Sequence, residues 1–210
     1  MIASMADRTI LRCCRFDRLM PGREKMKLSS ACYWSIIFGL LAIVSPKTVV
    51  QAQGPSLPQP ESMTVDRSLS KADAEQMIKT ARLFYAFWDT GNAEYASAAV
   101  DNNFRDNTLP EGRPQGRKGL LYASQTFRSA VPDLHCKIED LLVSRDLITA
   151  RLTFTGTHKG EFMGQPATGK PVRFLAIDIL RIRGGRIVED WHLEDNLTLL
   201  EQLGVVSLKK

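Results

Sequence analysis

The chain has 210 residues, 44% of them hydrophobic and 24% charged, with a formal net charge of +5. All of that excess lies in residues 1–52, so the remainder is balanced in charge and gives no electrostatic reason to expect nucleic-acid binding. Three of the four cysteines, Cys13, Cys14 and Cys32, fall in the same stretch; Cys136 is left alone, which excludes an internal disulfide or a multi-thiolate metal site in residues 53–210.

Residues 31–44 read ACYWSIIFGLLAIV, with Lys25 and Lys27 before them and Val50-Gln51-Ala52 after them. A basic stretch, a short apolar run and small residues predict a signal peptide over residues 1–52, with Met26 as an alternative start. The run is shorter than the ~20 residues of a comfortable membrane span. The expectation is therefore export to the periplasm or the medium, with no membrane span after cleavage; an uncleaved anchor is the alternative. Residues 53–69, with Pro55, Pro58 and Pro60, predict a flexible linker, and residues 70–210 the folded domain.

Ser70 followed by Asp73 marks a helix start, and Ala74, Met77, Ile78, Ala81, Phe84, Tyr85 and Trp88 recur at helical spacing up to Gly91. Asn92 predicts the cap of a second, short helix running toward Val100. Residues 101–117 read as loop because of Pro110, Gly112, Pro114 and Gly116. Residues 118–130 return to helix, stopped by Val131-Pro132. Strands are expected at about 135–143, 147–157, 171–183 and 186–194, and a last helix over Leu197–Leu203. Helices followed by an antiparallel meander indicate an α+β domain, a curved sheet wrapped over the N-terminal helix as a cone.

Gly184-Gly185 predicts a two-residue hairpin turn, since both glycines tolerate positive φ. Counting outward from it pairs Ile182 with Ile187, Leu180 with Glu189, Asp178 with Trp191 and Ala176 with Leu193. Asp178 then sits on an apolar face against an indole, where an ionised carboxylate needs a partner or a raised pKa. His192 falls on the opposite face in this register, beside Ile177; a three- or four-residue loop would change that pairing.

Several stretches together resemble the SnoaL-like polyketide cyclase (ester cyclase) family: FWDTGN at 87–92, AVPDL at 130–134, GTHKGEFMG at 156–164, PATGKP at 166–171, AIDILR at 176–181, GGRIVEDWHLED at 184–195 and LLEQLG at 199–204. The resemblance implies the cone-shaped α+β barrel of the nuclear-transport-factor-two-like superfamily. It also implies homo-oligomers, a hydrophobic small-molecule substrate, and ring closure by intramolecular aldol chemistry without metal or cofactor. One aspartate serves as acid/base, and it matches Asp178. Two positions depart from the commoner pattern: Asn107 stands where the family often has His, and His192 where it often has Asp.

The expected site is therefore Asp178 as acid/base, with Tyr85, Trp88, Asn107, Trp191 and His192 as substrate-binding candidates. Tyr85, Asn107 and His192 are of the type that donates hydrogen bonds to an enolate or alkoxide. The three histidines, His135, His158 and His192, have no metal-ligand spacing. Two other readings stay open: a non-catalytic binding module for an apolar small molecule, or an oligomerising protein with a filled cone in which Phe84, Trp88 and Trp191 pack together.

Overall fold

The computed structural model describes residues 56–207. The predicted signal peptide at 1–52 and the first residues of the linker lie outside that range. Chain order is β1 (Ser62–Val65), α1 (Lys71–Thr90), α2 (Ala93–Ala99), β2 (Val100–Asp106), α3 (Arg117–Ala130), β3 (His135–Ser144), β4 (Leu147–Thr157), β5 (Pro171–Arg183), β6 (Arg186–Glu194) and α4 (Asn196–Leu203). One curved, unclosed six-stranded sheet, ordered β1-β3-β4-β5-β6-β2, carries four helices, which is the expected α+β cone.

Local chemistry accounts for the helix ends. The Ser70 hydroxyl accepts from the Asp73 amide at 3.1 Å, and Gly91 closes α1 in the left-handed region. Asn92 caps α2 through the Glu94 amide, and Asp195 caps α4 through the Thr198 amide. Ala81, Phe84, Tyr85 and Phe87 of α1 are buried, and the helix packs against β3 and β6. Along β5, Val172, Phe174, Ala176, Asp178, Leu180 and Ile182 all face inward, while Leu175, Ile177 and Ile179 face out.

Two segments differ from the sequence expectation. Residues 62–65, placed in the flexible linker, pair parallel with β3, and the Arg82 guanidinium donates to the Leu57 and Pro58 carbonyls. Residues 100–106, expected as the end of the short helix and the start of a loop, form β2 parallel to β6 at the other edge. Both are polar edge strands with partners distant in sequence, so neither short-range apolar alternation nor a hairpin turn announces them. Among the described residues, no helix is long and apolar enough to cross a membrane.

Candidate functional site

The Gly184-Gly185 turn forms as expected, both glycines at positive φ, and the hairpin begins in the expected register with Arg183 opposite Arg186 and Ile182 opposite Ile187. The register then slips by one residue: Arg181 pairs with Glu189, so Val188 is an extra residue on β6. This bulge corrects the expected pairing. Asp178 lies opposite His192, not Trp191, and Trp191 lies opposite Ile179. A one-residue slip exchanges the two faces of a strand. Asp190, His192 and Glu194 are thereby turned inward, and Trp191 and Leu193 outward.

His192 is the centre of the resulting polar cluster. Its Nδ1 hydrogen-bonds Asp178 Oδ1, and its Nε2 lies 3.1 Å from Glu194 Oε1. Both ring nitrogens thus face carboxylates, the arrangement that suits an imidazolium with two N–H donors. Burial opposes the charge, but the Asp178 carboxylate and the hydrogen bonds to Asp178 and Glu194 outweigh it and hold His192 well above its ordinary value. Glu194 shows the reverse: burial pushes it up, but the His192 bond and charge, with Arg113 beyond, bring it below the usual range. Asp178 is 1% exposed and reaches the surroundings only through His192, whose side chain is 25% open. Thr108 fixes β6 from the other side, its hydroxyl accepting from the His192 amide at 2.9 Å.

The open side of His192 faces a cavity of about 280 Å³, at the small end of ligand pockets. Asp106, Asp190, His192, Glu194 and Arg113 form its polar wall. Trp88, Leu120, Phe127, Phe154 and Phe174 are prominent in the apolar wall. Phe154 and Phe174 stack at 5.1 Å, and Phe127 meets Phe174 edge-on at 5.7 Å, a packing that rigidifies that end. Phe162 and Met163 cover the cavity from the loop between β4 and β5. That loop is held by the Lys159 and Gly160 amides donating to Ala130, and by buried His158, whose Nδ1 lies 3.1 Å from Thr168 Oγ1. A Cβ on Gly160 would stand 2.0 Å from the Ser129 carbonyl, so the close approach requires glycine.

The sequence-predicted residues separate as follows. His192 and Trp88 are on the cavity wall. Asp178 stands directly behind His192. Tyr85 is fully buried; its hydroxyl makes no hydrogen bond of ordinary geometry, and burial, with the nearby Asp178 and Asp190 charges, raises it well above its ordinary value. Asn107 is outside the wall, its backbone N–H donating to the Asp190 backbone carbonyl at 2.9 Å. Trp191 is on the outer face, beneath the Arg181 guanidinium at 5.2 Å. The aromatic trio expected of a filled cone therefore does not form: Phe84 meets Trp88 edge-on, but Trp191 is on the other side of the sheet. Sequence reasoning missed Asp106, Asp190, Glu194 and Arg113. The D-x-H-x-E spacing of residues 190–194 was the available signal, hidden by the bulge. Among the described residues, no group of three or more His, Cys, Asp or Glu is arranged to hold a metal ion.

Comparison with protein families matches residues 78–203 to the SnoaL-like polyketide cyclase family. Among solved structures, the chain is similar to a candidate polyketide cyclase from Bacillus cereus ATCC 10987, with 54% identity and a TM-score of 0.67 over 72% of this chain and 95% of that one. It is also similar to IdmH, a candidate polyketide cyclase from Streptomyces antibioticus (32% identity, TM-score 0.56, 61% and 99% covered). TsrD from Streptomyces laurentii follows, with 29% identity, a TM-score of 0.57, and 66% and 99% covered. Comparison with curated proteins finds no match.

Proposed function

The chain belongs to the SnoaL-like polyketide cyclase family, a family of general cyclase or isomerase type that binds small hydrophobic substrates, and from that premise we propose that it closes a ring on an apolar carbonyl compound by intramolecular aldol chemistry. The observation that carries this reading is His192, held between Asp178 and Glu194 at the cavity wall.

Glu194, ionised, takes a proton from the carbon α to one carbonyl. The enolate carbon forms the new C–C bond at a second carbonyl carbon, and the oxygen of that carbonyl becomes an alkoxide. His192 Nε2–H protonates the alkoxide, and Glu194 returns its proton to His192 across their 3.1 Å contact. No atom is gained or lost. Asp178 acts through His192: it fixes the ring orientation and stabilises the imidazolium, so it is a positioning residue in this scheme. The apolar walls exclude water from the enolate.

The test is a panel of apolar β-keto methyl esters bearing a second carbonyl, followed by NMR for a ring-closed isomer of unchanged mass. Product formed by the wild type and lost in Glu194→Gln supports the scheme. Equal turnover by both sinks it.

The same proposal includes a second copy of the chain on the outer sheet face. Leu175, Ile177, Ile179 and Leu193 are exposed there, Leu193 at 72%. Arg151 paired with Asp140 and Lys137 with Glu139 add mixed charge, which suits a two-fold contact of like with like. Sedimentation should show an oligomer that Ile177→Lys breaks. Export through residues 1–52 completes the proposal, and sequencing the N-terminus of secreted protein tests it.

A further inference from the structure

Asp190 has no part in the proton cycle above, yet it is on the cavity wall. It is 3% exposed, and its Oδ1 is buried without a hydrogen-bond partner. A buried polar atom left unpaired costs on the order of 1–3 kcal/mol, so such atoms in native proteins need an explanation. The neighbours supply one. Asp190 pairs with Asp106 across β2 and β6, and with Leu180 across β5 and β6. Asp106 Oδ1 is already engaged by the Thr108 amide at 2.8 Å and the Thr108 hydroxyl at 3.1 Å, whereas Asp190 Oδ1 has no such partner. Asp190 has only an aliphatic side chain opposite it on β5. A buried carboxyl beside a second acidic group, with no donor to that oxygen, is driven toward its neutral form.

We propose that Asp190 is a carboxylic acid donor in the cavity, a subsite for a ligand carrying an enolate, phenolate or comparably strong acceptor oxygen. His192 is two residues further along β6 on the same inward face, about 7 Å away along the strand. The two donors therefore approach one ligand oxygen, or two neighbouring ones, from a single strand. The charged and titratable groups around Asp190 act in both directions, and those that favour its neutral form prevail. Burial first, then the charges of Asp178 and Asp106, raise it well above the usual carboxylate range, and His192 opposes them. Tyr85, from α1, stays neutral; Glu194 and Arg113 stand beyond His192. An acid protonated at neutral pH can donate a hydrogen bond, which a carboxylate cannot.

The assignment rests on the proposed cavity chemistry for its role in turnover, but its test is binding alone. Full-length protein is titrated calorimetrically with 4-methylphenol, 4-cyanophenol and 4-nitrophenol, which differ in oxygen character at similar size, and with toluene as an apolar control. Asp190→Asn keeps an N–H donor and should bind 4-nitrophenol within threefold of wild type. Asp190→Leu keeps the volume without the donor; it should lose at least tenfold for 4-nitrophenol and less than threefold for toluene. Wild-type affinity for 4-nitrophenolate should fall as pH rises and Asp190 ionises, and this step should be absent in Asp190→Asn. Unchanged 4-nitrophenol binding by Asp190→Leu, equal loss of both ligands, or no phenol binding by the wild type overturns the assignment. A wild type that binds phenols as described but closes no ring would overturn the proposed function and leave this subsite standing.

Discussion

Asp178 and His192 face each other across β5 and β6 because Val188 is one residue more than the hairpin requires. The turn sets one register and the bulge sets another, and only the second turns the imidazole toward the carboxylate. Deleting Val188 should remove the bulge and leave the downstream ladder as it is: Glu189 would follow Ile187 directly, Arg181 would still meet Glu189, and Asp178 would still meet His192. The deletion variant should therefore keep the raised His192 midpoint, followed by NMR through a pH titration. A midpoint that falls to the ordinary histidine value would show that the Asp178–His192 pairing depends on the bulge itself.

The Asp178 carboxylate should be what keeps His192 protonated. In wild type the imidazole sits well above 6.5. Removing the negative charge in Asp178→Asn leaves burial, which lowers it, opposed by Glu194 alone. The His192 ring signals, followed by NMR through a pH titration, should therefore move to lower midpoint in the variant. Activity should follow: Glu194 must be ionised and His192 protonated, so the wild-type profile has its acid limb below 4.5 and its alkaline limb above 6.5. Asp178→Asn should pull in the alkaline limb, an effect that mere loss of packing would not produce.

Asp190 should make the fold less stable as pH rises. Its pKa is raised in the folded state, so its contribution is full below the unfolded value near 3.8 and is lost as pH rises through the folded value. Asp190→Asn cannot titrate. Relative to that variant, wild type should lose up to about 1.4 kcal/mol per pH unit across the interval. Urea unfolding of both proteins from pH 4 to 8 checks this; parallel curves would place Asp190 in an ordinary ionised state.

Much of this architecture is legible in the residues themselves. Ser70 with Asp73, Asn92, and Gly184-Gly185 announce their caps and turn locally, and the alternation of β5 identifies Asp178 as an inward acid. The site is less legible for a physical reason. Val188 is an unremarkable strand residue, and nothing in its chemistry marks it as extra; the slip is decided by what the two faces of β6 meet after folding. The same holds for β2: V-D-N-N-F-R-D is too polar to read as a strand, and it becomes one by pairing with β6, whose face it helps to fix through Thr108. That slip is what hides Asp190 and Glu194 in the sequence and carries Trp191 to the outer face.

The most direct test of the account is α-proton exchange. A saturating apolar β-keto ester is incubated in D2O with wild type and with Glu194→Gln, and enzyme-dependent deuterium incorporation α to the carbonyl is followed by NMR. With Glu194 as the base that takes the α proton, the substitution should slow exchange by about 10²-fold or more. Exchange in Glu194→Gln as fast as in wild type would contradict the assignment of Glu194 as that base.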